Sequence, residues 1–402
     1  MKILVINSGS SSIKFRLVDA QTFYPIVNGI LECIGTQHSK ISCSIYNEKG
    51  IHKKHEEFLL INSHGEGVKF LVDYLHNRGF IGVFGDLAAI GHRVVHGGEW
   101  FKKSVLITES VIGRIRKTIP LAPIHNPANL IGIDICRDTF PSTPQVAVFD
   151  TAFHQSMPAK AYRYPLPESL YSEHRVRRYG FHGTSHQYVA NRAAEFLGKP
   201  LSQLNLITLH LGNGASATAI QRGRAIDTSM GLTPLEGLMM GTRCGDIDPA
   251  IIFYLARVSG LAIDKIETLL NQKSGLFGVC GSNDMREIQQ RFKQGDEQAK
   301  LAIEIYCYRI KKYIGAYLAI LGRLDVLVFT AGVGENSPEV RLQVCQGLEH
   351  LGICIVPEKN KAKINSATEI QNDAGAVKIM VIPTDEETEI AQQTQACIQN
   401  SQ

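Results

Sequence analysis

Two stretches of this chain, about half its length apart, carry one pattern. Residues 3–19, ILVINSGSSSIKFRLVD, run from an apolar strand through a Gly/Ser/Asn turn into a returning strand. Residues 206–220, LITLHLGNGASATAI, do the same. In the first return strand Ile13, Phe15 and Leu17 alternate with Lys14 and Arg16, the period of a two-faced strand. A hairpin at the head of each half predicts two similar halves.

Strand-then-helix units follow in both. VAVFD (146–150) is a buried-type strand that ends on an acid. LDVLVFTAGVGENSPEV (324–340) reads as strand, glycine turn and helix start, with Ser337 as N-cap and Pro338 at the first helical position. Asn126-Pro127 and Asp248-Pro249 repeat that signature. The class is therefore α/β, mixed sheets covered by helices. A chain of 402 residues exceeds a single core, so two domains meeting around residues 150–155, with a cleft, are expected.

The net charge of +4 is spread over interspersed signs, and the densest basic cluster is Arg175, Arg177 and Arg178. This argues against a nucleic-acid binder and allows a small anionic substrate. Nine cysteines without a CxxC pair read as reduced thiols of a cytosolic protein. Only four strongly apolar residues follow Lys2, too few for a signal-peptide core, and no apolar stretch is long enough to span a bilayer. The expected location is cytoplasmic, with no membrane partner.

Three tight turns expose backbone N–H groups: SGSSS (8–12), HLGNG (210–214) and AGVGEN (331–336). None is a Walker A loop and none matches GxGxxG. One such turn is an ordinary hairpin. Three, two of them at equivalent places, point to nucleotide phosphates. Ionisable residues stand in similar surroundings. Arg93 lies on the β-branched strand of GHRVVHGGE (91–99), where it needs an anionic partner or an exit to solvent. His125 sits between two prolines in LAPIHNP (121–127), and Arg243 in the glycine loop GLMMGTRCGDIDP (237–249). His182 occupies the loop YGFHGTSH (179–186), where Thr184 and Gln187 read as a capping box for the next helix. Each of these alone is equally well explained as a cap, a surface ion pair or a core histidine.

With these residues in view, the chain resembles the acetate kinase family over nearly its whole length. The resemblance rests on NSGSSSIKF, GHRVVHGGE, LAPIHNP, FDTAFH, YGFHGTSH, HLGNGAS, MGLTPLEGLMMGTRCGDIDP, FTAGVGEN and PTDEE, in that order. It implies two similar actin/Hsp70-like (ribonuclease H-like) α/β domains with a nucleotide cleft between them. Residues 1–151 form the first, with a C-terminal helix over 386–402 packing back on it. Residues 152–385 form the second, for nucleotide binding and homodimer contacts. The implied reaction is reversible Mg-ATP-dependent phosphorylation of acetate to acetyl phosphate and ADP, by direct in-line transfer. A propionate or butyrate kinase is the near alternative, and a nucleotide-dependent ATPase or chaperone-like module is the alternative of another class. A covalent phosphoenzyme on Glu386 or Asp150 is the mechanistic rival.

The resemblance also assigns roles. Arg93 and Arg243 flank the reacting groups, His182 contacts the transferring phosphoryl and His125 assists. Asn7 and Glu386 lie at the Mg²⁺ site (Mn²⁺ being possible), and Asp150 helps to position the metal or its waters. Ser10, Ser12 and Lys14 belong to the first phosphate-side loop. His210, Leu211, Gly212, Asn213 and Gly214, then Asp284, Met285 and Arg286, then Gly332, Val333, Gly334, Glu335 and Asn336 match nucleotide-binding segments. Val95, Ile124, Phe181 and Pro234 fall where the family builds an apolar pocket for the acetate methyl. There are departures. Ile124 replaces the usual leucine, and the loop at 278–287 is one residue shorter than usual. Thr388 replaces an apolar residue, with weaker packing of the last helix expected. Thr384-Asp385-Glu386-Glu387 also reads as a plain capping box for that helix.

Overall fold

The computed structural model describes residues 1–9, 11–47, 50–82, 86–372 and 375–400; Ser10 lies outside them. The chain divides into two compact units, Met1–Gln155 with Asp385–Gln402, and Ser156–Thr384.

The first unit holds β1 (Lys2–Ser8), β2 (Ile13–Asp19), β3 (Pro25–Glu32), β4 (Lys40–Asn47), β5 (Gly50–Phe58), β6 (Leu87–Val94), β7 (Val105–Leu106) and β8 (Gln145–Phe149). They form one sheet in the order β5-β4-β3-β2-β1-β6-β8-β7. The opening hairpin pairs Lys2 with Asp19 through to Ser8 with Ile13. Ile13, Phe15 and Leu17 are buried and Lys14 is exposed, as the alternation requires.

β1 is buried on both faces. Leu4 and Ile6 join a core with Val68, Leu71 and Leu75 of the helix His64–Asn77. Ile3 and Val5 face Ile390 and Ala391 of the C-terminal helix Glu386–Gln399. That helix approaches β6 closely at Gly91, where an added Cβ would stand 2.3 Å from Thr394 Oγ1, so only glycine fits.

The second unit holds β9 (Asn205–Leu211), β10 (Ala215–Gln221), β11 (Arg224–Thr228), β12 (Val326–Thr330), β13 (Thr368–Glu369) and β14 (Lys378–Val381), in the order β11-β10-β9-β12-β14-β13. This repeats the β3-β2-β1-β6-β8-β7 portion of the first sheet. In both, the hairpin is antiparallel, its first strand and the next two strands are mutually parallel, and a short antiparallel strand closes the edge. The repeat is thus one of topology, and only the two hairpins made it visible in the sequence.

Several local expectations are corrected. Asn126 is not a cap: it opens the helix Asn126–Thr139, and its amide holds the backbone of His96 instead. AGVGEN is not an open turn but a short helix, Ala331–Asn336; Ser337 then caps Val340 as expected. The helix Gly183–Phe196 starts beyond His182, which puts Thr184 inside the first turn rather than at the cap. Asp385, not Thr384, caps the last helix by accepting from Thr388 N.

Thr388 is not idle at the start of that helix. Its hydroxyl donates to Asp385 Oδ2 at 2.8 Å and accepts from Arg16 Nη1 at 3.1 Å. Nor is the basic cluster an open anionic landing site. Arg177 is 4% exposed, with its guanidinium over the ring of Tyr162, and Arg178 pairs with Glu236 and the carbonyls of Thr228 and Ser229. The nine cysteines are all unpaired thiols.

Candidate active site

In the first unit, three parallel strands bring their carboxyl ends side by side, the place where α/β sheets gather ligands. Asn7 comes from the end of β1, Arg93 from the end of β6, and Asp150 follows β8 directly. Arg93 donates from Nε to Asp150 Oδ1 (3.0 Å), from Nη2 to Asp150 Oδ2 (2.5 Å) and from Nη1 to Asn7 Oδ1 (3.1 Å). Burial alone would lower the Arg93 guanidinium, but the charges of Asp150 and Glu386 outweigh it and hold it above its usual value.

Glu386 is the first helical residue after the Asp385 cap. Burial pushes its carboxyl up to about 7; Asp150 and Glu387 add to the rise, while Arg93 and Lys14 oppose it. Among the described residues no three His, Cys, Asp or Glu side chains form a metal cage. A carboxylate crowded by two other acids, with an Asn carbonyl oxygen held by the same Arg93, instead suits Mg²⁺, which is bound through few protein oxygens plus substrate phosphates.

The loops around this group are fixed by Asn129, Thr151 and His64, which the sequence did not single out, and by Asn126, which it singled out only as a cap. Asn129 accepts from Val95 N (3.1 Å) and donates to Ser8 O (2.8 Å). Asn126 brackets His96 through both its N–H and its C=O, and Thr151 Oγ1 accepts from Gly97 N. His64 meets the Gly9 carbonyl at 2.7 Å, and Gly9 N donates to Ser12 O at 2.7 Å. The two asparagines sit one helical turn apart on Asn126–Thr139. That spacing on the helix after LAPIHNP was the available signal. His125 is the half-buried residue just before that helix.

In the second unit, His182 stands at the cap position with φ of 56°, a left-handed conformation uncommon outside glycine. Its ring stacks on His210 at 4.2 Å. His182 Nδ1 meets Ser216 Oγ at 2.9 Å, and His210 Nδ1 meets Ser185 Oγ at 2.8 Å. A Cβ on Gly214 would lie 3.4 Å from His182 Nε2 and 3.5 Å from Arg243 Nη1, so both groups flank the same glycine. Among the described residues Arg243 donates to the Pro234 carbonyl (3.1 Å) and the Met240 sulfur and has no carboxylate partner. Burial accordingly lowers its guanidinium. A half-buried, uncompensated arginine beside a histidine is a site for an anion.

A cavity of about 720 Å³ in this unit is lined by Gly212, Asn213, Asp284, Met285, Arg286, Gly332, Val333 and Asn336. Leu276, Asn283, Gln289 and Ser337, which the sequence reading missed, complete its wall. Gln289 lies one turn beyond Met285 on the helix Met285–Lys293 and donates to Ser337 Oγ. Asp284 caps that helix and grips Arg286, whose hydrogen bonds hold the Asp284 carboxyl down at about 2.

His210, Leu211, Gly214, Gly334 and Glu335 do not line the cavity. Glu335 instead accepts from the backbone of Ala331 (2.8 Å) and Thr384 (3.0 Å). Of the residues expected around the methyl group, Val95 and Phe181 are buried, Pro234 is half-buried and Ile124 is 61% exposed. Val95 and Ile124 belong to the first unit, Phe181 and Pro234 to the second.

A duplicated α/β topology, with arginines and histidines at strand ends and glycine loops, defines the actin/Hsp70-like class of phosphotransferases. Comparison with known proteins narrows this. The family model described as the acetokinase family matches residues 2–392. The acetate kinase of Syntrophobacter fumaroxidans is 54% identical over 398 residues, covering 98% of this chain and 96% of that one. The crystal structure of Porphyromonas gingivalis acetate kinase superposes with a TM-score of 0.92 at 45% identity, covering 99% of each chain. A propionate kinase from Francisella tularensis gives 0.91 at 45% identity, covering 98% of this chain and 99% of that one. The chain belongs to the acetokinase family.

Proposed function

We propose that this protein transfers the γ-phosphoryl group of Mg-ATP to acetate, giving acetyl phosphate and ADP, and runs the reaction in both directions. The observation that carries the reading is Arg243, a half-buried guanidinium with no carboxylate partner among the described residues, beside His182 and Gly214. Acetate is ionised at neutral pH, so a carboxylate oxygen attacks phosphorus without a general base. The new P–O bond forms as the bond to the β-phosphate oxygen breaks, and ADP leaves with that electron pair. The protein's task is to hold two anions and stabilise charge on the group in transit.

Arg93 receives the acetate carboxylate, its fork already aligned by Asp150. Arg243 and His182 donate to the phosphoryl oxygens, and His125 assists. Glu386 and Asn7 are the protein ligands for Mg²⁺, which when bound neutralises phosphate charge; Mn²⁺ fits the same oxygens. Lys14 and Ser12 serve the phosphate side of the first unit. The cavity at Asn213, Asp284–Arg286 and Val333 takes the nucleoside. By the family match, Val95, Ile124, Phe181 and Pro234 are the residues assigned to the methyl group.

Propionate is the second reading, favoured by the 45% identity to a propionate kinase, the same as to the Porphyromonas gingivalis acetate kinase, and by the exposure of Ile124. One methylene is worth about 1–3 kcal/mol in such a pocket. ADP formation with Mg-ATP and acetate, propionate or butyrate tests both. Acetate-dependent turnover with the highest kcat/KM supports the first reading, and propionate ahead of acetate supports the second. ATP hydrolysis indifferent to every carboxylate would sink both in favour of an ATPase module.

The active form is a homodimer. The helix Ala250–Ser259 buries none of its residues within the chain, and Phe253, Tyr254 and Val258 are 59%, 57% and 65% exposed. A second copy of the chain is the occupant that such an apolar helix suits. Light scattering should give twice the chain mass, and Phe253→Glu should give monomers. Among the described residues no helix is long and apolar enough to cross a membrane.

A further inference from the structure

Behind His182 runs a buried line of polar side chains that the proposed reaction does not use. Ser216 Oγ lies 2.9 Å from His182 Nδ1 and 2.7 Å from His186 Nε2, and His186 Nδ1 lies 2.7 Å from Thr208 Oγ1. Ser216, His186 and Thr208 are each 0% exposed, so bulk water does not compete for these bonds.

We propose that Ser216, backed by His186 and Thr208, is a positioning relay that decides which nitrogen of His182 carries its proton; this rests on the reading of His182 as a phosphoryl contact. The argument is one of proton counting. A serine hydroxyl has a single hydrogen, and a neutral imidazole has one donor and one acceptor nitrogen. Ser216 therefore donates to only one of the two histidines and accepts from the other; accepting from both would leave its hydrogen without a partner among the described residues, which is costly at a site that is 0% exposed. When Thr208 donates to His186 Nδ1, His186 must present Nε2–H to Ser216. Ser216 then gives its hydrogen to His182 Nδ1, and the His182 proton sits on Nε2. That nitrogen borders the position above Gly214, which Arg243 Nη1 also borders. Only this tautomer lets a neutral His182 donate on the same side as Arg243, where an anion would lie. The opposite arrangement turns a lone pair toward that anion. In the proposal Thr208 is the donor at the far end of the line, and that choice sets the first arrangement through His186 and Ser216, much as a buried second partner sets the tautomer of a metal-bound or catalytic histidine.

The test is a double-mutant cycle of Ser216→Ala and His182→Ala, read as kcat and KM for acetate and ATP. The inference expects Ser216→Ala to lower kcat about ten- to hundredfold with both KM values nearly unchanged. It also expects no further loss when Ser216→Ala is added to His182→Ala. Equal losses in both backgrounds, or full kcat in Ser216→Ala while His182→Ala is impaired, would overturn it. Full kcat in His182→Ala would overturn the underlying role of His182, which is a different failure. If Ser216→Ala does not fold, judged by its melting and by ADP binding, His186→Gln and His186→Leu replace it. Glutamine keeps an N–H near the ε position, so it should retain clearly more kcat than leucine; equal loss in the two would overturn the relay.

Discussion

Arg93 and Asp150 hold each other through two parallel hydrogen bonds, of 3.0 Å and 2.5 Å, from the ends of adjacent strands. The Asp150 side chain is 2% exposed, so the pair aligns the guanidinium and at the same time protects a buried carboxylate. Arg93→Ala should lower kcat by about a hundredfold or more, by analogy with loss of a preorganised oxyanion donor. Arg93→Lys should remain strongly impaired, because an ammonium cannot form the fork. Steady-state ADP release measures both.

Arg243 stands in the opposite situation, with burial but no carboxylate partner among the described residues. Arg243→Met should therefore lose activity by about a hundredfold or more while folding at least as stably as the parent. Urea unfolding beside kcat checks this. Marked destabilisation would show that the guanidinium is structural.

Glu386 has no hydrogen-bond partner among the described residues, yet lies in the field of Asp150 and Glu387. Glu386→Gln should raise the Mg²⁺ concentration for half-maximal rate by about ten- to hundredfold. An unchanged Mg²⁺ titration would leave Glu386 as part of a helix start and nothing more.

Thr388 links the cap residue Asp385 to Arg16. Thr388→Val keeps the shape and removes both bonds, so it should destabilise the protein by about 1 kcal/mol. Denaturant midpoints at constant slope measure it. A more stable variant would restore the expectation that an apolar residue packs better here.

His92 is buried on β6, with Nε2 2.8 Å from Gln145 Oε1. Burial pushes its imidazole down to about 4, and the bond to Gln145 only partly opposes this. The unfolded chain, with a value of about 6.5, binds the proton more readily. Stability from this group is therefore full above about pH 6.5 and is lost as pH falls toward 4, by about 3 kcal/mol in all. His92→Gln should flatten that part of the stability–pH curve relative to the parent.

Much of this protein was determined by local sequence. The hairpin at residues 2–19 follows from alternation around a small-residue turn, because side chains on a strand point to opposite faces whatever lies beyond them. Ser337 before Pro338 starts a helix for equally local reasons, and FTAGVGEN or YGFHGTSH identifies the family because the order of motifs survives in one dimension. Tertiary structure decided the rest. Nothing near Arg93 in sequence reveals that Asp150 is its partner, since parallel strands bring residues together through long crossovers. His182, Ser216 and His186 form one line because a helix start and the middle of a hairpin meet in space. Asp385 rather than Thr384 caps the last helix because Arg16, on β2, meets Asp385 there. Local propensity proposes the element and its approximate ends. Which donor meets which acceptor is settled only when the sheet closes and buried polar groups must find partners.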